Sequence, residues 1–552
     1  MRRILVIGGT GGFGRRLVEG LIATSDAQVI IATRHREPAE MLVRTLPRGR
    51  ATSVILDVRT VSADALRGLD ISAVVDVAGP YQGADYRLAR AAVAAGVHYL
   101  DLADARDFVT GIVVLDDMAR GAGVVVLSGA SSTPALSHAV LDRLTAGWRW
   151  IDRVEIAISP GNRASPRGLA VLRSILSYAG RSIRVFDGGA WVARPGWGMP
   201  VRRDMPGLGR RWLSLCETPD LDLVPQRFAP REAALFRAGL ELSVMHLGLL
   251  AATFLVRSGM MRSLLPFARP LQWAAERLRG VGSDRGGMIV EATGCDAGGR
   301  RVRALWSLVA GKGDGPFVPT LPARAALRLL HAGGIPSGAR PCVGVLDLDD
   351  IEREFSLYDI KTEISVAELP LPFQRLLGAG FGQIPEPVRR VHSLTQPLNT
   401  SGKAEITSPR NPLARLLCRL AGLPRPGTDV PVSVRFQPDG RGGEYWRRRF
   451  TAERGGERRY ASTMQAGDGD DAGLLVERFW PFIYYHRLTP SAAGVAWRLV
   501  RWKLLGIALP RFTLPTVDCF EAAQGERYTF DINVVFPLVG PVIHYRGWLV
   551  PV

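Results

Sequence analysis

Lysine is nearly missing from this chain of 552 residues: Lys312, Lys361, Lys403 and Lys503 are the four among 70 basic residues. Arginine supplies the rest of a formal charge of +18. These arginines are scattered, with no basic tail or block, which argues against the clustered basic face that nucleic acid needs. With abundant Ala, Gly and Pro, the bias reads as the imprint of a GC-rich genome. Cysteine is equally scarce. Cys216, Cys295, Cys342, Cys418 and Cys519 are far apart, odd in number and outside any CxxC or Cys/His grouping. That pattern supports neither a disulfide framework nor a metal site, and no metal is expected. The apolar run at 242–256 has 15 residues, short of the roughly 20 that a bilayer span requires. The opening residues leave no room for a signal peptide before a strand begins, so a reducing cytoplasm is the expected compartment.

What is present first is glycine. "RILVIGGTGGFGRRL" (3–17) sets a short apolar run against five glycines in seven positions, and Phe13, Leu17 and Leu21 then recur at helical spacing. Strand, glycine turn, helix is the context in which bare backbone N–H groups and a helix N-terminus hold a pyrophosphate. Two registers fit, Gly9-Gly11-Gly14 and Gly8-Gly11-Gly14. The turn and helix start, Gly8, Thr10, Gly11, Gly12, Phe13 and Gly14, are therefore cofactor-binding candidates. A dinucleotide enzyme that uses NAD ends its second strand in Asp or Glu to hold the ribose 2′-hydroxyl. Here "AQVIIATRHRE" ends in Thr33, Arg34, His35 and Arg36. A guanidinium pairs with a 2′-phosphate, so NADP is expected over NAD. "SVILDV", "ISAVVDVAGPY", "VHYLDLA" and "GVVVLSGAS" continue the alternation of strands and helices. A doubly wound parallel sheet follows.

The glycine turn is similar to that of short-chain dehydrogenases, but their Tyr-x-x-x-Lys pair has no candidate, since no lysine precedes residue 312. At "GGTGGFG", "VVDVAGPY", "AAGVHYLDLA" and "SGASSTPALS" the chain resembles the saccharopine dehydrogenase-like reductases over residues 1–360. The resemblance implies an NADP-linked oxidoreductase with a Rossmann half and an inserted α/β substrate half. It implies that Gly8, Gly11 and Gly14 carry the pyrophosphate and Arg34 the 2′-phosphate. Asp57 and Val58 would meet the adenosine, and Ala78, Gly79 and Pro80 the nicotinamide. After "YLDL" this chain has Ala103-Asp104 where the family often has Gly-Glu. Tyr81, Asp101 and Asp104 are the acid/base candidates, and Asp284 and Arg285 in "GSDRGGM" the substrate-binding ones; loop charge on a hairpin turn is the plainer reading of that pair.

The expected boundaries are 1–135 for the Rossmann domain and 136–365 for the substrate domain, whose last part can return to the first sheet. Residues 366–552 form a third, β-rich accessory domain. Within 242–280, five arginines and one acid, Glu276, are interleaved with apolar residues and Trp273. An interfacial pair of helices and a buried core helix with an amphipathic neighbour both fit, with His246 a core histidine. The last third has many strands joined by polar turns, hence an antiparallel sheet, and "YTFDINVVF" puts Tyr528, Phe530, Ile532 and Val534 on one face. "SGKAEI", "ARLLCRLAGLPRPG", "EYWRRRF" and "PLVGPVIHYRGWL" resemble an uncharacterised bacterial domain found after saccharopine dehydrogenase-like proteins. Such a sheet can close around an apolar ligand, and His486 and His544 are expected to be structural. The reading is an NADP-dependent oxidoreductase acting on a lipid-like small molecule. Its rival is a non-catalytic nucleotide-sensing or lipid-binding scaffold at a membrane surface; either is compatible with a homo-oligomer.

Overall fold

The computed structural model describes residues 2–164, 168–394, 397–407, 409, 411–420, 423–440, 442–451, 456–537 and 539–552. They divide into two compact units, 1–367 and 368–552.

The first unit holds two sheets. Seven parallel strands lie in the order 338–341, 125–128, 98–101, 73–76, 3–7, 28–33, 51–55. The strands are apolar runs such as Ile4–Ile7 and Val29–Ala32, buried because helices cover both faces. Chain order reverses between the first strand, Arg3–Ile7, and the fourth, Ala73–Asp76, which pair directly. In an open α/β sheet that reversal opens a crevice at the carboxyl ends of the strands. The seventh strand, Gly338–Pro341, pairs with Val125–Ser128 after a long excursion through the second sheet. That excursion is a mixed sheet in the order 201–205, 209–215, 233–238, 150–159, 286–295, 301–310, 360–368. The helix Leu169–Tyr178 leaves this sheet to stand over the crevice of the first.

The second unit is a closed barrel. Among the described residues ten antiparallel strands form the ring, from Leu398–Thr407 to Gly540–Pro551, and the pairing of Phe482–Ser491 with Gly494–Leu504 completes it. "GLLVERFWPFIYYHRL" holds two strands, Leu475–Phe479 and Phe482–Ser491, which pair around Trp480-Pro481. Pro481 cannot donate to a ladder and so falls in the turn. Tyr528, Phe530, Ile532 and Val534 line the interior, as their alternation predicts. The segment 369–393, which reads as one leading helix, is two short helices, Pro372–Leu377 and Glu386–Val391, separated at Gly378.

Candidate functional site

The crevice between the first and fourth strands is a cleft of about 610 Å³. Its floor is the glycine turn. Gly8 has φ +73°, a conformation that side chains disfavour, and a Cβ there would stand 3.1 Å from Ala78 Cα. The turn closes through Gly11 N–H donating to the Gly8 carbonyl at 2.9 Å. The helix Gly12–Thr24 begins there with Gly11 at its N-cap, no side-chain cap and no acid in its first turn. Its first amides therefore lack intrahelical partners and face an open cleft, the arrangement that draws a phosphate. Thr10, Gly11, Gly12 and Phe13 line the cleft, whereas Gly14 does not. A Cβ on Gly14 would fall 2.1 Å from the Gly8 carbonyl oxygen. Gly14 thus acts on the phosphate turn indirectly, by letting the helix press against it.

At the nucleoside end the cleft is cationic. Arg34 and His35, exposed just beyond the second strand Gln28–Thr33, line it together with Asp57, Val58 and Arg59. The Asp57 carboxylate is already engaged: Arg59 Nε donates to Oδ1 at 3.0 Å and Nη2 to Oδ2 at 2.5 Å. These hydrogen bonds hold the Asp57 pKa down to about 2. The nearby anion is paired, and the Arg34 guanidinium makes no hydrogen bond to a described residue. Arg59 and His35 were not among the sequence candidates. An arginine two residues after an aspartate in a turn is the signal that would have found the first.

At the other end stand Ala78, Gly79, Pro80, Tyr81 and Asp104. The three acid/base candidates separate here. Tyr81 is 7% exposed, packs on Phe108 and donates its hydroxyl to the Asp76 carbonyl at 2.9 Å. Burial, reinforced by Asp76, Asp101 and Asp104, pushes its pKa well up, so its proton is fixed in place. Asp101 is fully buried and is not among the residues that line the cleft. Its Oδ1 accepts from Ser128 Oγ at 3.0 Å, Gly129 N at 2.7 Å and Ala103 N at 3.0 Å. It ties two strand ends together. Burial holds its pKa up at about 6 and that of Asp76 at about 7, with Asp101 adding to the latter.

Asp104 alone of the three presents its carboxylate to the cleft. Ser174, on the helix Leu169–Tyr178, donates to Asp104 Oδ2 at 3.3 Å, and Gln82 Nε2 donates to Ser174 Oγ at 2.8 Å. The surrounding protein raises the Asp104 pKa above the usual carboxylate range. Ser174 and Gln82 had no motif to announce them, since the fold brings them together from separate sheets.

Asp284 and Arg285 are exposed beside the strand Gly286–Cys295 and are not among the residues that line the cleft. The acid that organises that loop is Glu241, which accepts from the Asn162 and Ser283 amides. A second, apolar pocket of about 340 Å³ adjoins the cleft, sharing Gly168 and Val171 with it. Its walls come from the helices Leu169–Tyr178, Ser243–Arg257 and Ala268–Arg277. Ser243–Arg257 is not a buried core helix: His246, Leu249 and Thr253 are its buried residues, while Val244 and Phe254 are 71% and 64% exposed. His246 is a core histidine, its Nδ1 accepting from Leu240 N–H at 3.4 Å and its Nε2 meeting Ser214 Oγ at 2.9 Å. Burial lowers its pKa to about 4. No helix among the described residues is long and apolar enough to cross a membrane.

A parallel sheet in this order, with a glycine turn and an uncapped helix start at its switch point, is a dinucleotide-binding fold of the dehydrogenase kind. Residues 4–142 match the saccharopine dehydrogenase NADP binding domain, and residues 384–549 match a domain of unknown function (DUF4166). Both resemblances read from the sequence are thereby present, and the first gives the cofactor class as a nicotinamide dinucleotide. No curated protein matches the chain. Among solved structures it is similar to the apo histidine-tagged saccharopine dehydrogenase (L-Glu forming) from Saccharomyces cerevisiae, at 14% identity over 66% of this chain and 100% of that one, with a TM-score of 0.48. It is also similar to GenD2 from gentamicin A biosynthesis in complex with NAD, at 17% identity over 53% and 69% of the two chains, TM-score 0.27. A third is Pen from Bacillus thuringiensis, at 14% identity over 23% and 48%, TM-score 0.18.

Proposed function

We propose that the first unit is an NADP-dependent oxidoreductase acting on a largely apolar small molecule. The observation that carries the cofactor choice is the unmatched guanidinium of Arg34 at the end of the second strand, beside an Asp57 already neutralised by Arg59. A carboxylate that would repel a 2′-phosphate is missing there, and a cation that would pair with one is present. The cleft fits the cofactor in three places. Gly8, Gly11 and the amides of Gly12 and Phe13 would hold the pyrophosphate, Arg34 the 2′-phosphate, and Ala78, Gly79 and Pro80 the nicotinamide face. When bound, NADP supplies the hydride.

The chain's own residues supply position and protons. Asp104 is the acid/base group of this reading, a carboxylate at the cleft whose pKa is raised by desolvation within the surrounding protein. Ser174 and Gln82 orient it. Tyr81 and Asp101 keep the strand ends in register and take no part in the chemistry. The apolar pocket beside the cleft supports a lipid-like substrate, whose polar end would reach Asp104. The exposed face of 243–281, with Val244, Phe254, Met260 and Trp273 interleaved with Arg257, Arg262, Arg269 and Arg277, suits the surface of an anionic bilayer from which such a substrate would come.

The test is a titration with NADPH and NADH on wild type and Arg34→Asp. The variant is expected to weaken NADPH by about a hundredfold and NADH by only a few fold, as loss of a charge-assisted pair would. Equal weakening overturns the assignment. Oxidation of NADPH on addition of apolar enones or imines separates the enzyme from the scaffold, which would bind without turnover.

A further inference from the structure

The barrel of the second unit encloses a cavity of about 490 Å³. One end is shut. Phe373, on the short helix Pro372–Leu377, is fully buried and stacks on His392 at 3.5 Å between ring centres, with Trp446 and Trp497 behind it. The helix Glu386–Val391 packs against the strands Thr516–Gln524 and Arg527–Phe536 at the same end, where Arg390 approaches Glu526 at 3.8 Å. The other end carries the hairpin tips at 479–482 and 504–508. Phe479, Phe482 and Leu504 face inward there, while Trp480, Leu505, Ile507 and Phe512 are 61–81% exposed. Among the described residues, the cavity is thus a cup with an apolar rim.

The charges inside are matched to each other. Arg448 donates to Ser462 Oγ at 2.9 Å and lies 3.9 Å from Glu477 Oε1, with its guanidinium over the Trp446 and Tyr460 rings. Glu521 accepts from the Tyr528 hydroxyl at 2.6 Å and meets His392 Nε2 at 2.7 Å. An anionic ligand would meet no spare cation, and a cationic one no spare carboxylate. Three nitrogens of the cavity lining have no hydrogen-bond partner among the described residues. Trp497 Nε1, on a side chain 6% exposed, has no hydrogen-bond partner among the described residues. The neighbouring ring, 5.5 Å away, is His486, whose Nε2 lies 3.4 Å from Glu477 Oε2 and whose Nδ1 has no partner. In either neutral tautomer the His486 ring keeps one acceptor nitrogen, in a ring packed edge-on against the indole donor. A hydroxyl group is the neutral function that answers both, accepting from one and donating to the other. Leaving such groups buried and unpaired is unfavourable.

We propose that this cup binds a neutral apolar alcohol, its chain among the aromatic walls and its hydroxyl between Trp497 Nε1 and the acceptor nitrogen of His486. The proposal does not depend on the oxidoreductase reading of the first unit.

The test uses the full chain with Nile red as the fluorescent probe and farnesol, farnesene and palmitate as competitors. Farnesol is expected to displace the probe at least tenfold more tightly than the hydrocarbon farnesene, and palmitate at pH 8 to compete more weakly than farnesol. Val534→Trp, which fills the cup near its rim, should abolish barrel-dependent probe binding while leaving NADPH binding and the circular dichroism spectrum unchanged. Trp497→Phe should retain the probe and collapse the difference between alcohol and hydrocarbon. Probe binding indifferent to Val534→Trp, equal displacement by farnesol and farnesene in wild type, or preference for palmitate would each overturn the proposal. If Arg34→Asp fails to discriminate the coenzymes, these outcomes are untouched.

Discussion

The nucleotide cleft of the first unit and the cup of the second are built from opposite materials. The cleft of the first unit is made of backbone: a glycine turn, the amides of Gly12 and Phe13 at a helix start, and strand ends held by buried carboxylates. The cup of the second is made of side chains, aromatic rings from successive strands pointing inward. A backbone site demands particular residues, because only glycine tolerates φ +73° at Gly8 and only glycine fits 2.1 Å from its oxygen at Gly14. A side-chain site demands only a period of two and enough bulk. Its individual positions are therefore far more replaceable.

The largest effect should expose that difference. Gly14→Val pushes two methyl groups into the Gly8 carbonyl, a clash with backbone that no rotamer relieves. The expected loss is about 4 kcal/mol or more, enough to unfold a marginal domain. Hydrogen exchange resolved by peptide should find residues 3–142 unprotected while the barrel strands keep wild-type protection. Val434→Ala on the cup wall removes two methyl groups from the interior and should cost only about 1–3 kcal/mol. If the two variants prove equally damaging, the contrast between backbone and side-chain construction fails.

The units also differ in how they respond to pH. Burial alone would lower the pKa of His392, but the Glu521 and Glu444 carboxylates outweigh it and hold it up at about 9. A histidine raised in the folded state stabilises fully below its ordinary pKa of about 6.5, and that contribution is lost as pH climbs through 9. It amounts to something on the order of 3 kcal/mol. The first unit behaves otherwise. Asp76 and Asp101 are raised to about 7 and about 6 by burial, so its folded state keeps protons that the unfolded chain has released. Its stability falls between about pH 4 and pH 7, and the raised carboxylates add no further slope once both are ionised. Urea titrations at pH 6, 8 and 10, read separately for each unit, should show the barrel weakening over both intervals. His392→Gln should flatten that slope without changing the slope of the first unit. A barrel equally stable at pH 6 and pH 10 would mean that His392 is neutral throughout.

The same contrast explains what could be read before the structure was known. The cleft was legible because its geometry forbids side chains: the glycine turn, the Arg34 end of the second strand and the Ala78-Gly79-Pro80 loop are local features of a few residues each. Asp104 was legible as a carboxylate but not as the one facing the cleft, since it lies only three residues after Asp101 and the strand ends that bury Asp101 are joined by the fold. Ser174 and Gln82 were invisible, because they meet across two sheets. In the barrel, alternation in "YTFDINVVF" gave the inward face of one strand. Closure was beyond reach, because it depends on the pairing of Phe482–Ser491 with Gly494–Leu504 and on the shutting of one end by Phe373. The odd pairing of Trp497 with His486 needed both strands in register.

The smallest effect concerns the exposed apolar surface that each unit carries. On the first unit, Phe254 and Trp273, 64% and 62% exposed, stand among arginines, and Arg277 lies over the Trp273 ring at 4.6 Å. On the second, Trp480 and Phe512 ring the mouth of a cup. On the reading proposed above, the arginine-flanked face is the one that would meet anionic lipid, since each basic residue near such a surface contributes about 1 kcal/mol and each anchored aromatic adds its own buried area. Phe254→Ser with Trp273→Ser should therefore reduce co-sedimentation with phosphatidylserine vesicles by about fivefold to tenfold, and should lose that effect at high salt. Trp480→Ser with Phe512→Ser should leave vesicle binding within about twofold and instead slow the uptake of Nile red. If the rim variants release the protein from vesicles and the helical ones do not, the assignment of the two surfaces is reversed, and the barrel becomes the membrane-facing unit.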